Sequence, residues 1–130
     1  MAKRSAILLY RQLGWSTEIL LTKNANGEWD LPHDDGVSTN VFQTSKIISD
    51  KTGIDFPRTL NYLGQFRPTI GDKIMGYMRN LQDCDMTIAR SGKAKLVSIR
   101  EALYLVDPVF IPLLETFYEN HSVEYKRHCA

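Results

Sequence analysis

The chain has 130 residues, 43% of them hydrophobic, which is enough to bury the core of one compact domain and leaves no room for a second. Its 16 basic and 15 acidic residues are scattered and give a formal net charge of +1, so there is no electrostatic footprint for nucleic acid or an anionic membrane. Cys84 and Cys129 lack CxxC spacing, and the three histidines show no metal-ligand pattern. We therefore expect one cytoplasmic domain over residues 1–130, with a loose tail at 121–130.

Two apolar runs near the start of the chain predict its first two strands. Ala6 to Tyr10 is continuously apolar, which is typical of a strand covered on both faces. Glu18 to Thr22 predicts the second strand, and Gly14 marks the turn between the two. The turn cluster Asn24 to Gly27 then delivers the chain to Trp29, which we expect to pack as core.

The segment that follows predicts a strand end, a polar loop and a helix. Pro32 ends the extended run, and the loop sequence HDDG leads to Ser38 or Thr39, either of which can cap a helix. The helix is predicted to run to Thr52, where Gly53 supplies a left-handed end. Residues at three- and four-residue steps predict one modest buried stripe, formed by Val41, Phe42, Ser45, Ile48 and Thr52.

This segment resembles the Nudix box, whose signature is G-x5-E-x7-R-E-U-x-E-E-x-G-U, with U a bulky aliphatic residue. The box commonly follows a W-x-L-P tetrapeptide, which is present here at 29–32. Gly53 and Ile54 match the closing G-U, Ile48 matches the earlier U, and Lys46 stands for the arginine. The resemblance extends from residue 6 to residue 118, and it implies an α/β fold of the Nudix type, an α/β/α sandwich with a mixed sheet.

The resemblance also implies a pyrophosphohydrolase that uses Mg²⁺, but the metal-binding positions of the box are altered. The three helical glutamates of the family are replaced by Ile47, Asp50 and Lys51. In the family these side chains share one helical face and hold divalent metal against a pyrophosphate. Ile47 offers no ligand, and Lys51 places a positive charge where the cation would sit. Asp50 is therefore the one metal ligand expected in this helix, and a strong Mg²⁺ site is not expected.

A hairpin is predicted after the box, with arms at 60–67 and 73–81. Tyr62 and Phe66 are predicted to share a face of the first arm, and Tyr77 lies on the second arm. Phe66 and Tyr77 are candidates to stack on a nucleobase, and the alternative is that they simply cover the sheet. Arg67 is a candidate phosphate ligand and, alternatively, a solvated edge charge.

The C-terminal part predicts a last strand and two helices, whereas 83–93 receives no assignment. Residues 95–99 read as the strand, and Ser98 with Glu101 forms a capping box for the next helix. Glu101 is also a lesser candidate for a catalytic base, since some Nudix enzymes recruit one outside the box. The closing helix begins near Pro108, with Pro112 in its first turn. Its predicted core-facing residues are Val109, Leu113, Leu114, Phe117 and Tyr118.

Three functional hypotheses follow. The first is a nucleotide-binding Nudix domain with weak or no hydrolysis, in which Lys46 and Lys51 contact a pyrophosphate directly. The second is an active Mg²⁺-dependent pyrophosphohydrolase with a rearranged site, in which Asp34, Asp35 and Asp50 supply the carboxylates. The alternative interpretation of Asp34 and Asp35 is that they belong to a solvated turn and have no catalytic role.

The third hypothesis is a protein-interaction or regulatory subunit, with a homodimer as one arrangement. Met75, Tyr77 and Met78 on the hairpin would supply the apolar partner surface.

Overall fold

The computed structural model describes residues 2–34, 45–46, 49–50, 60–68, 72–81 and 94–121. Within these ranges the strands are β1 (Ala2–Leu13), β2 (Ser16–Lys23), β3 (Trp29–Asp30), β4 (His33–Asp34), β5 (Asn61–Phe66), β6 (Asp72–Asn80) and β7 (Ala94–Ser98). Two α-helices, α1 (Ile99–Leu105) and α2 (Ile111–His121), are separated by a 3-10 helix at Pro108–Phe110. None of the helices described here has the length and apolar character needed to cross a membrane.

The strands form one mixed sheet, as predicted. Hydrogen-bonded neighbours run in the order β3-β2-β1-β6-β5, with β4 also paired to β1 and β7 to β2. The pairing of β1 with β6 is parallel, and the other pairings are antiparallel. The α/β class and the strands predicted at 6–10 and 18–22 are confirmed, and both strands extend further than predicted.

The segment containing β3 and β4 lies between β1 and β2. The β1–β2 pairing ends at Tyr10 opposite Ile19, and beyond that point the two strands separate. Asp30 in β3 pairs with β2, whereas His33 in β4 pairs with β1. The N–H of Ile7 also donates to the carbonyl oxygen of Pro32 at 3.0 Å. The predicted polar loop at His33 is therefore wrong: these residues form a short strand because β1 offers an edge to pair with.

The sheet has a buried cluster on each face. The first combines alternate residues of the strands with both α-helices, and the second occupies the opposite face. Because period-two alternation places neighbours on opposite faces, the continuous apolar run of β1 serves both clusters. Ala6 and Leu8 join the first cluster, Ile7 and Leu9 join the second, and all four side chains are fully buried.

A β-bulge changes which hairpin residues share a face. The register shifts between Tyr62 and Gly64, so that Tyr62 pairs with Tyr77 whereas Phe66 pairs with Ile74. Phe66 consequently packs against the first cluster, and Tyr62 contacts Tyr77, which packs against the second. The prediction that Tyr62 and Phe66 share a face is therefore wrong, because the bulge inserts one residue between them.

The predicted start of α1 is confirmed, whereas the closing α-helix, predicted to begin near Pro108, begins at Ile111 after the 3-10 helix at Pro108–Phe110. Ser98 caps α1 by accepting a hydrogen bond from the N–H of Glu101 at 3.1 Å. Asp107 caps the 3-10 helix through the N–H of Val109, and Pro112 lies in the first turn of α2. Of the predicted core-facing stripe, the side chains with full burial are Leu113, Leu114 and Phe117. Phe110, which was not predicted, is also fully buried.

Only part of the predicted box helix is described. Ser45, Lys46, Ser49 and Asp50 have helical backbone, and Ser45 is buried, as its place in the predicted stripe requires. The predicted caps Ser38 and Thr39, Gly53, residues 83–93 and the tail beyond His121 lie outside the described residues.

Candidate functional site

Asp34 is held at the start of the box by its pairing with β1. It lies opposite Ser5, and Ser5 in turn lies opposite Met75 in β6, so these three residues share the sheet face of the second cluster. The side chain is half-buried. Among the described residues, its Oδ2 atom is buried without a hydrogen-bond partner. A buried carboxylate oxygen in this state is free to accept a cation or a donor.

The other predicted site residues of the box that the structure describes, Asp50 and Lys46, are more exposed than Asp34. Asp50 and Lys46 are both exposed on helical backbone. Asp35 and Lys51 lie outside the described residues. The structure therefore gives no contact that joins Asp50 to Asp34.

The predicted base-stacking residues lie on opposite faces of the sheet. Phe66 packs against the first cluster, and Tyr77 packs against the second, with its ring centroid 5.6 Å from that of Tyr62. These two rings cannot line one stacking site. Arg67 is exposed, and with the amide oxygen of Gln65 turned towards it, its Nε and Nη2 donate to that oxygen at 3.1 and 3.2 Å.

Glu101 and Met78 lie on the side of the first cluster, whereas Asp34 lies on the face of the second. Glu101 is exposed in the first turn of α1, the helix that covers the first cluster. Met78 is buried in that same cluster, so it does not contribute to a partner surface. Met75 and Tyr77 are half-buried.

The described donors do not fit a Mg²⁺ site. Mg²⁺ requires near-octahedral oxygen coordination, and the phosphates of a substrate supply part of it. Across the described ranges, no three side chains of His, Cys, Asp or Glu come together as a metal would need. Asp34 offers one unpaired oxygen and Asp50 one exposed carboxylate, and we therefore assign no hydrolytic step to a metal.

A polar pocket of about 250 Å³ lies between the β2–β3 turn and the end of α1. None of its lining residues was predicted as a site residue. The strand side contributes Asn24, Asn26, Glu28, Trp29 and Asp30, and the helix side contributes Leu105, Val106, Asp107 and Pro108.

Asp30 joins the two sides of this pocket. Its side chain is only 2% exposed, and its Oδ1 accepts the N–H of Leu31 at 2.9 Å and the N–H of Asp107 at 3.1 Å. The Nδ2 of Asn24 approaches Oδ2 at 3.4 Å. Asn24 also orders the turn, because its Oδ1 accepts the N–H groups of Asn26 and Glu28 at 2.9 and 3.1 Å. The pocket wall is thus built from a connected hydrogen-bond network.

Trp29 forms the remaining wall and carries two lysines. The Nζ of Lys95 lies 4.7 Å and the Nζ of Lys23 lies 5.3 Å from its ring centroid. Lys23 is directly opposite Trp29 in the sheet, and Lys95 is opposite Leu21 on the far edge of β2. The signal for this site in the sequence is a carboxylate placed between Trp29 and Leu31, which is unusual for a run that is buried on both sides.

Two tyrosines, Tyr10 in β1 and Tyr77 in β6, have raised pKa values. Burial raises the pKa of Tyr10 above 10.0, and the nearby guanidinium of Arg79 offsets part of that increase. Burial also raises the pKa of Tyr77, and the neighbouring Tyr62 adds to it. The Nε of Arg79 is buried and has no partner among the described residues.

Solved structures similar to this chain share one type of fold. The Nudix domain of Shewanella oneidensis NrtR complexed with ADP ribose has a TM-score of 0.65 at 18% identity, over 90% of this chain and 86% of that one. A Caenorhabditis elegans Ap4A hydrolase has a TM-score of 0.60 at 15% identity, over 90% and 96%. The C-terminal domain of mouse MUTYH, in complex with human PCNA, has a TM-score of 0.69 at 15% identity, over 93% and 89%.

The chain spans 63% of a longer NrtR chain, to which it is 18% identical with a TM-score of 0.68. No model of a protein family matches the sequence, and no curated protein does.

Proposed function

We propose that this chain, which has the Nudix fold, binds a nucleoside diphosphate derivative or a dinucleotide polyphosphate and hydrolyses it weakly or not at all. The observation that carries the proposal is the polar pocket beside Asp30. Solved proteins of this fold include a Nudix domain complexed with ADP ribose and an Ap4A hydrolase, which supports a ligand of this class.

The pocket has the chemistry to receive a nucleobase. Its lining includes the exposed acidic residues Glu28 and Asp107, which can offer hydrogen-bond acceptors. The carboxylate of Asp30 is buried and already accepts from Leu31, Asp107 and Asn24, so it shapes the wall. A base edge that carries amino or imino N–H groups matches acceptors of this kind. The hydrogen bonds from Asn24 and from the Asp107 N–H preorganise the walls, which reduces the entropy lost on binding.

The composition of the box supports weak or absent hydrolysis. Pyrophosphate cleavage in this fold depends on a helical face that holds metal. In this sequence the corresponding positions of the box are occupied by Ile47, Asp50 and Lys51. One carboxylate flanked by a hydrocarbon and an ammonium binds a hard dication poorly. Binding that relies on the pocket does not need the metal.

Calorimetry tests this proposal with ADP-ribose, diadenosine tetraphosphate and ATP, each with Mg²⁺ and with EDTA. We expect at least one ligand to bind in EDTA. Asn26→Trp should weaken that binding, because it places an indole at the pocket, and Glu115→Trp on the exposed side of α2 is the matched control. Tight binding that requires Mg²⁺ would refute the proposal.

A second candidate function is a Mg²⁺-dependent pyrophosphohydrolase in which Asp34, Asp35 and Asp50 supply the carboxylates. The observation in its favour is the Oδ2 atom of Asp34, buried and unpaired among the described residues. Such an oxygen is costly unless a ligand completes its coordination.

Release of a nucleoside monophosphate separates the two functions. The second function requires Mg²⁺-dependent release that is lost in Asp50→Asn and in Asp34→Asn. Release that is indifferent to both substitutions would remove this candidate. Glu101→Gln serves as a third variant, because it tests a base outside the box while leaving the backbone N–H that Ser98 caps in place.

A further inference from the structure

Charged side chains of both signs lie close to Trp29. On the pocket side lie the carboxyl groups of Glu28, Asp30 and Asp107. On the ring of Trp29 lie two ammonium groups, both within 5.3 Å of one ring centroid. Acidic and basic residues therefore both lie close to one indole. This arrangement matches a nucleotide, which carries an amino donor on a base such as adenine and negative charge at its phosphates.

We infer that Lys23 and Lys95 form an anion site for the phosphate chain of the ligand whose base enters the pocket. The inference rests on the proposed function and assigns the orientation of the ligand. It also moves phosphate recognition from the box lysines, Lys46 and Lys51, to the edge where β2 meets β3 and β7.

The geometry gives a reason for an anion at this place. The two ammonium groups lie within 5.3 Å of one ring centroid and repel each other, and an anion bound between them would relieve that repulsion. A phosphate chain offers several oxygens and can accept from both lysines, because an ammonium binds phosphate as a point charge from many directions. Lys23 is exposed and Lys95 is half-buried, so both can turn from the ring to the ligand.

Binding measurements in EDTA with adenosine, AMP, ADP and inorganic pyrophosphate test the inference. In the parent chain we expect affinity to increase from adenosine to ADP. In the double variant Lys23→Gln/Lys95→Gln, the affinity for ADP should fall about tenfold while the affinity for adenosine stays unchanged. Added salt should weaken ADP binding less in this variant than in the parent chain, because fewer charges contact the ligand. Lys73→Gln in β6 is the control, since it removes the same charge on the other side of β1.

The fluorescence of Trp29 provides a direct measurement of binding at this site. The chain has two tryptophans, and Trp15 is 59% exposed in the β1–β2 turn, so Trp15→Phe leaves Trp29 as the single reporter. We expect ADP and pyrophosphate to change the Trp29 emission as the lysines leave the ring, and we expect this change to vanish in the double lysine variant.

The outcomes separate the two proposals. ADP binding that keeps its full advantage over adenosine in the double lysine variant overturns the anion site and leaves the proposed function standing. Failure of every nucleoside, every nucleotide and pyrophosphate to bind the parent chain overturns both. Binding of pyrophosphate alone supports the anion site and refutes the base pocket.

Discussion

The backbone N–H of Asp107 donates to the carboxylate of Asp30 at 3.1 Å, across 77 residues of sequence. This bond ties the start of the 3-10 helix to β3, the strand inserted between β1 and β2. It also sets the width of the polar pocket, because the two residues lie on opposite walls. The same contact therefore serves the stability of the domain and the shape of its candidate binding site.

Removing the Asp30 carboxylate should destabilise the domain. Asp30→Ala leaves the N–H groups of Leu31 and Asp107 without their acceptor in a buried place, and we expect the free energy of unfolding to fall by roughly 2–4 kcal/mol. Asp30→Asn keeps an acceptor oxygen and should lose less. Chemical denaturation of both variants checks the order, and equal losses would show that the acceptor is unimportant.

Gly76 in β6 is required by the packing of the first cluster. A Cβ atom there would lie 2.9 Å from Cδ1 of Leu113 and 3.1 Å from Cε2 of Phe66. Gly76→Ala should therefore lower the free energy of unfolding by about 1–3 kcal/mol through overpacking.

A double variant tests that explanation for Gly76. If the clash with Leu113 is the cause, Gly76→Ala combined with Leu113→Val should lose less stability than the two single variants together. Strict additivity in thermal unfolding would assign the loss to another contact.

The sequence was sufficient to predict the strands and helices that are encoded by local sequence patterns. Continuous apolar runs predict β1 and β2, and the cap at Ser98 and the proline at 112 predict the starts of the C-terminal helices. It was insufficient for β4, which forms only because β1 offers it a partner edge. It was also insufficient for the face of Phe66, because one bulge between Tyr62 and Gly64 reverses the alternation of the strand.

The candidate site was harder to predict than the fold. The resemblance predicts a site in the box, whereas the pocket is assembled from the β2–β3 turn and the end of α1, which are far apart in sequence. Asp30 stands in the sequence as one polar residue between Trp29 and Leu31. Its importance is visible only when Asp107 is brought within hydrogen-bond distance by the tertiary fold.

Stability should fall in alkaline solution because of Tyr10 and Tyr77. Burial raises both pKa values above 10.0, so near and above that pH the unfolded chain loses these protons more readily than the folded one. Their contribution is complete below pH 10 and is lost as pH rises through the raised pKa values. Denaturation from pH 8 to 11 should show this loss, and the slope should be shallower in Tyr77→Phe. An unchanged slope would contradict the assignment.

Ser98 should stabilise α1 through its cap alone, since its side chain is exposed and accepts the N–H of Glu101 at 3.1 Å. Ser98→Ala should cost about 1 kcal/mol in the free energy of unfolding, whereas Ser98→Asp should retain most of that energy because aspartate caps equally well. The negative charge of aspartate also interacts favourably with the helix N-terminus. Urea denaturation of the three proteins measures the difference. Equal stability of the alanine and serine proteins would show that water replaces the hydroxyl at the cap. An aspartate variant as unstable as the alanine variant would show that the backbone, and not the side-chain acceptor, determines where α1 begins.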